Sequence, residues 1–194
     1  MDYSQLIDDT FSSCRACIEN ALNMCMEALP SAIDESVRAL ENGGTLYFAG
    51  NGGSAADCSH IASELVGAFE SCVAPLPAVA ITTDTAILTS VGNDFSFDTI
   101  FLRQVQALAR PTDLLWLIST SGESTNLVLA AEWAGQHQVK TIGLLGKTGG
   151  KVASLVDIPI IVPGDNTQRI QEVHILILHI LASALKRRFP DGVR

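Results

Sequence analysis

Five short apolar runs alternate with helical patterns from residue 45 onward, and this alternation constrains the fold more than any other feature. The runs span residues 46–49, 78–81, 114–118, 141–145 and 158–162. Each is followed by a helical segment or by a turn that leads to one, which is typical of βαβ units. The sequence therefore predicts an α/β fold, with a five-stranded parallel sheet flanked by helices.

An amphipathic helical pattern precedes the first of these runs. Apolar residues recur at helical spacing through residues 3–28. Pro30 and Ser31 predict a break and a second helix over about residues 32–40, which Asn42-Gly43-Gly44 ends. We expect residues 1–43 to form an N-terminal helical arm and residues 44–194 to form the sheet domain. The arm's apolar face favours packing against other subunits of an oligomer, and packing on its own core is the alternative.

Composition excludes several classes of function. The chain has 194 residues, of which 47% are hydrophobic and 17% charged, and this favours one folded domain with a real core. Its net charge of −9 argues against general nucleic-acid binding. No apolar run reaches the ~18 residues of a membrane span, and the acidic start MDYSQLIDD lacks the basic region of a signal peptide. We expect a cytoplasmic protein with neither a nucleic-acid nor a membrane partner.

The five cysteines favour reduced thiols over a disulfide or metal framework. They are Cys14, Cys17, Cys25, Cys58 and Cys72. Cys14 and Cys17 form a CxxC inside a helical pattern, with no second CxxC elsewhere in the chain. A zinc ribbon or a redox motif is therefore the weaker interpretation.

A glycine-rich turn follows the first apolar run. It reads Gly50-Asn51-Gly52-Gly53-Ser54 and opens directly into a helical pattern. Glycines expose backbone N–H groups, and the helix N-terminus adds a partial positive charge, so such a turn can bind an anion. Asn51 and Ser54 add side-chain donors. The turn is neither a P-loop nor a dinucleotide fingerprint, because it lacks the Gly-Lys-Ser/Thr of the first and the third glycine of the second.

A second polar loop follows the third apolar run, at residues 119–126. Its hydroxyl side chains belong to Ser119, Thr120, Ser121 and Ser124. One hydroxyl is enough to cap a helix, whereas this loop offers four together with a glycine. The surplus favours a phosphate site built from hydroxyl and backbone donors over a simple cap.

Two helical segments carry candidate acid/base or metal-binding groups. His60 and Glu64 are four residues apart and share a helix face. In the final helix, predicted over about residues 167–187, Gln171 and His179 are separated by about 80° around the axis, whereas His174 and His179 are separated by about 140°. Gln171 and His179 can therefore point into one site, and His174 is expected in the core.

Asn93 and Asp94 allow two interpretations. Their side chains suit hydrogen bonding to sugar hydroxyls. Alternatively, they form an Asx turn that caps a helix from about residue 98 to 108.

Four segments together resemble the sugar isomerase (SIS) fold and, more narrowly, the phosphoheptose isomerases. They are GNGGSAADCSHIASE, TTDTAILTSVGND, ISTSGES and RIQEVHILILHI, and the resemblance covers about the whole chain. It implies an enzyme that converts sedoheptulose 7-phosphate to D-glycero-D-manno-heptose 7-phosphate. It also implies a homotetramer with active sites at subunit interfaces and one Zn²⁺ per subunit.

The resemblance also assigns roles to residues. The positions that match the family's metal ligands are His60, Glu64, Gln171 and His179. Of these, Glu64 and His179 match its acid/base pair, which suits proton transfer through an enediol. The substrate-binding positions, with Ser54 added from the first turn, are Asn51, Gly52, Gly53, Ser54, Asn93, Asp94, Ser119, Thr120, Ser121, Ser124 and Gln171.

Two positions depart from the family pattern, and two other classes compete with the enzyme. Ala68 stands where many members carry arginine, and Gln168 stands where some carry aspartate. One competing class is a non-catalytic tetrameric scaffold of the replication-initiator-associating type, which typically loses the glutamate and the final histidine of the pair. This chain retains Glu64 and His179, which favours the enzyme. The other is a sugar-phosphate-sensing regulator, and no DNA-binding motif supports it.

Overall fold

A single parallel sheet forms the centre of the protein. The computed structural model describes residues 2–70 and 74–193, so Cys72 lies outside the described residues. The strands are β1 (Leu46–Gly50), β2 (Ala78–Ala80), β3 (Leu114–Ser119), β4 (Lys140–Gly146) and β5 (Ile158–Val162). They are all parallel and lie in the order β2-β1-β3-β4-β5. The predicted five-stranded sheet is thus confirmed, with each strand within two residues of its expected bounds.

Helices cover both faces of the sheet. They are α1 (Ser4–Glu41), α2 (Gly53–Val66), α3 (Thr85–Asp94), α4 (Ile100–Leu108), α5 (Thr125–Gln136), α6 (Gly150–Ala153) and α7 (Thr167–Arg188), with a 3-10 turn at Phe97–Thr99. On one face, α1, α2 and α7 pack around Phe48 and Trp116. On the other, the core around Leu115 and Leu117 includes residues of α3, α4 and α5. None of the helices in the described chain has the length and hydrophobicity to cross a bilayer.

The predicted helix break at Pro30 and Ser31 is wrong. Helix α1 runs for 38 residues, with Pro30 inside it. Proline removes one helical hydrogen bond and crowds the preceding turn. Here Leu29 and Ala32 are buried against the core on either side of Pro30, and this packing outweighs the local preference.

Helix α1 has two apolar faces with different surroundings. One face packs against β5 and α7 and buries Ala21, Leu29, Ala32 and Leu40. The other face leaves large apolar side chains exposed, namely Leu6, Ile7, Phe11, Leu22 and Met26. Helix α1 therefore packs on its own core and still carries an uncovered apolar face. Its packing against other subunits stays a prediction.

The strand order places a switch point between β1 and β3. The two strands are neighbours, with Gly50 paired to Ile118 at their carboxyl ends. In an open parallel sheet, ligands bind where the strand order reverses, outside the carboxyl ends of the strands. The glycine-rich turn follows β1 and the hydroxyl loop follows β3, so the fold brings the two predicted anion loops side by side.

Candidate active site

A polar cavity lies at the switch point, beyond the carboxyl ends of β1 and β3. Its volume is about 260 Å³. Its lining comes from the glycine-rich turn, the hydroxyl loop and the start of α7: Asn51, Gly53, Ser54, Ile118, Ser119, Thr120, Ser121, Ser124, Thr167 and Gln171. The structure therefore brings together most of the predicted substrate-binding residues.

Three helix N-termini converge on this cavity. Helix α2 begins at Gly53, α5 follows its N-cap residue Ser124, and α7 begins at Thr167, and all three residues line the cavity. Helix N-termini present unpaired N–H groups and a partial positive charge. The cavity therefore favours an anion although the whole chain carries a net charge of −9.

The hydroxyls of the second loop divide into two groups. Ser119 Oγ accepts the Gly122 N–H at 3.0 Å, and Ser121 Oγ accepts the Glu123 N–H at 3.2 Å, so these two side chains shape the loop. Within the described residues, the Ser124 side chain makes no capping hydrogen bond to α5. A helix cap therefore does not account for Ser124, and its hydroxyl can be offered to a ligand.

The turn at Gly149 and Gly150 packs against the backbone of the hydroxyl loop. Gly122 adopts a φ of +66°, and a Cβ there would overlap the carbonyl of Gly149. Gly150 has a φ of +55° and contacts the same loop, and the Val152 N–H donates to the Gly122 carbonyl at 3.0 Å. This close approach of two backbones requires glycine on both sides.

His60, Glu64 and His179 form a compact cluster between α2 and α7. Glu64 Oε1 lies 2.9 Å from His60 Nε2 and 3.3 Å from His179 Nε2. The two imidazole rings meet edge to face, with centroids 5.2 Å apart. One carboxylate oxygen is thus shared by two imidazoles that come from different helices.

The cluster suits a metal ion. One ligand atom from each of the three side chains lies within 4.8 Å of the others. The second oxygen of Glu64, Oε2, is buried and has no hydrogen-bond partner among the described residues. Since imidazole nitrogen and carboxylate oxygen are ligands that Zn²⁺ accepts, the donor set and the unpartnered oxygen both fit a cation there.

Phe69 and Lys186 hold the helices of the cluster in place. The Phe69 ring stacks on the His179 imidazole, with centroids 6.0 Å apart. Lys186, which is buried on α7, donates from Nζ to the carbonyls of Gly67 and Ala74 at 2.8 and 2.6 Å. Lys186 therefore ties the end of α2 to α7 just beyond the contact between Glu64 and His179.

One further carboxyl group lies a helical turn before His60. Burial raises the pKa of Asp57, and the charge of His60 opposes that shift. Asp57 Oδ2 is buried, with no hydrogen-bond partner in the described chain. Asp57 is therefore a second, partly desolvated carboxyl group next to the cluster on α2.

The cavity and the cluster are joined by two helices that start at the cavity. On α2, His60 and Glu64 follow Ser54 by about 9 and 15 Å along the axis. On α7, His179 follows Gln171 by about 12 Å. The arrangement suits a ligand whose anionic end is several bonds away from its reacting atoms.

Several predicted residues lie elsewhere. Asn93 and Asp94 are the last residues of α3 and are exposed, with Asn93 Nδ2 donating to Asp94 Oδ1 at 2.8 Å. Among the described residues they are not part of the cavity lining. The alternative Asx cap is wrong, because Ser96 supplies the cap by accepting the Asp98 N–H. His174 is fully buried, as expected.

The positions that depart from the family pattern are both exposed. Ala68 follows the end of α2, and Gln168 lies in the first turn of α7. Neither side chain contributes to the cavity lining in the described chain.

The predicted thiol character of the cysteines agrees with their surroundings. Cys14, Cys17, Cys25 and Cys58 are free, and the pKa of each is raised. Burial is the main cause at Cys17, Cys25 and Cys58, and a hydrogen bond to Glu172 is the main cause at Cys14. The thiol forms are therefore favoured over the reactive thiolates.

Two residues near the cavity escaped the sequence reasoning. Thr167 lines the cavity as the first residue of α7. Asn126, in the first turn of α5, is buried and hydrogen-bonded to Asn51. A polar residue at the start of a helix is a candidate ligand-binding residue, and both residues occupy such positions. Only the strand order shows that these helix starts meet at one cavity.

Comparison with known proteins identifies the family. The family model of the SIS domain matches residues 11–146. The phosphoheptose isomerase of Bordetella avium is 45% identical over 188 residues, covering 95% of each chain. The chain belongs to the phosphoheptose isomerase family. It is accordingly an isomerase, which confirms the resemblance drawn from the four segments.

Further relatives support this membership of the phosphoheptose isomerase family. The phosphoheptose isomerase of Geotalea daltonii is 54% identical over 150 residues, covering 77% of this chain and 78% of the relative. The solved structure of a phosphoheptose isomerase from Neisseria gonorrhoeae superposes with a TM-score of 0.90 at 37% identity, covering 96% of this chain and all of the other. The SIS fold is therefore shown by sequence and by structure.

Proposed function

We propose that the protein interconverts sedoheptulose 7-phosphate and D-glycero-D-manno-heptose 7-phosphate. The observation that carries the proposal is the cluster of His60, Glu64 and His179 at 2.9 and 3.3 Å, joined by α2 and α7 to an anion cavity. The names of the relatives supply the substrate class.

The cavity binds the phosphate in this proposal. The Ser124 hydroxyl, the O–H that Ser121 can still donate while its oxygen accepts the Glu123 N–H, and the N–H groups at three helix starts surround the phosphate oxygens. Asn51, Gly52 and Gly53 order the turn beside it. Asn93 and Asp94, which are exposed at the end of α3 and are not among the described residues that line the cavity, are proposed to hydrogen-bond the sugar hydroxyls. Binding at the phosphate end holds the first two carbons in place near the cluster, so the reacting groups meet in a fixed geometry.

Glu64 and His179 transfer the protons. Moving the carbonyl between C2 and C1 requires removal of a proton from the carbon next to the carbonyl. It also requires delivery of a proton to the carbonyl oxygen, which gives an enediol. In the second half of the conversion from ketose to aldose, C2 gains a proton and the oxygen on C1 loses one. The isomerisation therefore makes no net change in protons. One group of the pair transfers protons at C1 and its oxygen, and the other transfers protons at C2 and its oxygen. The 3.3 Å contact between Glu64 and His179 allows the two groups to exchange a proton.

His60, Glu64 and His179 would hold a Zn²⁺ ion, with Gln171 as a fourth ligand. A bound zinc ion polarises a carbonyl and favours negative charge on its oxygen. Gln171 is the weakest member of this set, because its carboxamide packs over Gly53 at the cavity.

We propose that the protein works as a cytoplasmic homotetramer with residues 1–43 packed against other subunits. The exposed apolar side chains of α1, such as Phe11 at 74% and Met26 at 70% exposure, support this packing. Exposed apolar surface of this kind marks protein interfaces. Sedimentation should give an oligomer at micromolar concentration, and a monomer there would contradict the assembly.

The test is turnover of sedoheptulose 7-phosphate in deuterated water, with shorter ketose phosphates as comparison substrates. An enediol mechanism should give aldose product that carries solvent deuterium at C2, detected by mass spectrometry. Turnover of a different ketose phosphate in preference to sedoheptulose 7-phosphate would overturn the substrate assignment. The non-catalytic scaffold is not favoured, because its class typically loses the glutamate and the final histidine, and this chain retains Glu64 and His179.

A further inference from the structure

The side chains of Asn51 and Asn126 form a closed amide pair. Asn51 Nδ2 donates to Asn126 Oδ1 at 2.9 Å, and Asn126 Nδ2 donates to Asn51 Oδ1 at 2.9 Å. Asn126 is only 3% exposed. Because each amide donates and accepts once, neither can be flipped alone without losing both bonds.

This pair connects the two halves of the anion cavity. Asn51 belongs to the turn after β1, and Asn126 lies in the first turn of α5, after the hydroxyl loop. The pairing of β1 with β3 ends at Gly50 and Ile118. The amide pair continues the connection beyond the sheet, at the level where the two loops surround the cavity.

Asn51 occupies a special place in this connection. It lines the anion cavity of about 260 Å³ and also a second cavity of about 160 Å³, on the side of Phe97 and Phe101. Each amide group has two N–H donors, so the pair leaves one N–H of Asn51 for a ligand. Asn126 is not among the described residues that line either cavity.

We propose that Asn126 is a positioning residue for anion binding, acting through Asn51. The paired amides fix the distance between the glycine-rich turn and the hydroxyl loop. They also fix the plane of the Asn51 carboxamide and leave one of its N–H groups available to the ligand. This inference deepens the proposed function and rests on it for the identity of the anion as a sugar phosphate.

The main test is a double-mutant cycle on the binding of inorganic phosphate. The variants are Asn51→Ala, Asn126→Ala and the double variant, and the dissociation constant is measured by calorimetry. We expect each single variant to weaken binding by about tenfold. Because Asn126 acts through Asn51, the double variant should be no weaker than Asn51→Ala. Multiplied effects in the double variant would overturn the proposal.

A buried amide also supports the fold, so a control for stability is needed. Gln104 is 5% exposed, and its Nε2 donates to the carbonyls of Ile81 and Ile100 at 2.9 and 3.0 Å. Gln104→Ala removes a comparable set of bonds without touching the amide pair. It should lower the melting temperature but leave phosphate affinity within twofold of the original. An equal loss of affinity in Gln104→Ala would show that Asn126 acts only through stability.

Asn126→Ser keeps the test open if Asn126→Ala does not fold. A hydroxyl at position 126 is one bond shorter than the carboxamide, so it reaches Asn51 only through a bridging water or a small shift of the two loops. The phosphate affinity of Asn126→Ser should therefore fall between those of the original protein and Asn51→Ala. Affinity equal to that of the original protein would contradict a role for the closed pair. Since the probe is inorganic phosphate, the cycle is read separately from turnover. A protein that binds phosphate but does not isomerise sedoheptulose 7-phosphate would overturn only the proposed function.

Discussion

Glu64 on α2 and His179 on α7 meet with 3.3 Å between Glu64 Oε1 and His179 Nε2. The same oxygen lies 2.9 Å from His60 Nε2. Both helices begin at the polar cavity, so the contact joins two helices that share one starting point. A carboxylate and an imidazole at this distance can act as an acid/base pair on one substrate.

Removing either member of this pair should abolish most of the activity. We expect Glu64→Gln and His179→Ala each to lower kcat by roughly 10²–10⁴-fold, because general acid/base groups contribute on this scale. Steady-state kinetics with sedoheptulose 7-phosphate measure the effect. His137→Ala is the control, since His137 is exposed and stacks on Trp133 at the end of α5. Near-normal turnover by either cluster variant would refute the acid/base assignment.

Zinc should bind at up to one ion per chain, and His60 should be required for it. His60→Ala removes one of three convergent ligands. Its zinc affinity should fall by more than ~100-fold, since even residues that only support a ligand contribute roughly 10–100-fold. Competition with a chromophoric chelator measures the affinity without any activity assay. Unchanged affinity in His60→Ala, with His137→Ala as the matched histidine control, would place the metal elsewhere.

Gly53→Ala should separate activity from stability. A Cβ at Gly53 would overlap the carboxamide of Gln171, which is the movable end of a side chain. In a helix interior, alanine is favoured over glycine by roughly 0.5–1 kcal/mol, and a part of this gain applies at Gly53, the first residue of α2. We therefore expect an unchanged or higher melting temperature, together with a loss of at least about tenfold in kcat/KM as Gln171 moves away.

Gly135→Ala is the control for this substitution. Gly135 lies in α5, and a Cβ there would meet open space within the described structure. The variant should gain similar stability and keep its activity. If Gly53→Ala keeps its kcat/KM as well, the position of Gln171 over Gly53 does not matter for function.

His174 should make the folded protein less stable as the pH is lowered. Burial lowers the pKa of His174 to about 4, partly opposed by the backbone of Leu145, whereas an unfolded histidine has a pKa of about 6.5. Above pH 6.5 neither state binds the proton. As the pH falls from about 6.5 towards 4, His174 binds a proton in the unfolded chain but not in the folded chain, so the folded state loses stability.

Urea unfolding at several pH values measures this effect. Between pH 8 and pH 5.5, His174 should account for a loss of about 1 kcal/mol in the free energy of unfolding. His174→Leu should lack that part of the pH dependence, and His137→Leu should keep it. An identical pH dependence in the original protein and in His174→Leu would contradict the depressed pKa.

The sequence predicted the elements well because their signals are local. Apolar runs and glycine or hydroxyl turns marked the five strands and both polar loops. The helical face shared by His60 and Glu64 follows from their spacing alone. The helix break at Pro30 was wrong because the packing of Leu29 and Ala32 against the core is a tertiary effect. Helical spacing indicated that Gln171 and His179 can face one site, and the family resemblance supplied the roles expected of them.

The sequence by itself determined the strands, the two turns that we propose bind an anion and the chemical groups offered at each. Only the tertiary structure decided which of them meet. The order β2-β1-β3-β4-β5 places the turn of Asn51 beside the helix of Asn126, and it brings Glu64 to His179. Five similar apolar runs carry no local signal for their order in the sheet. That order follows from how the helices cover both faces, which is a property of the whole chain.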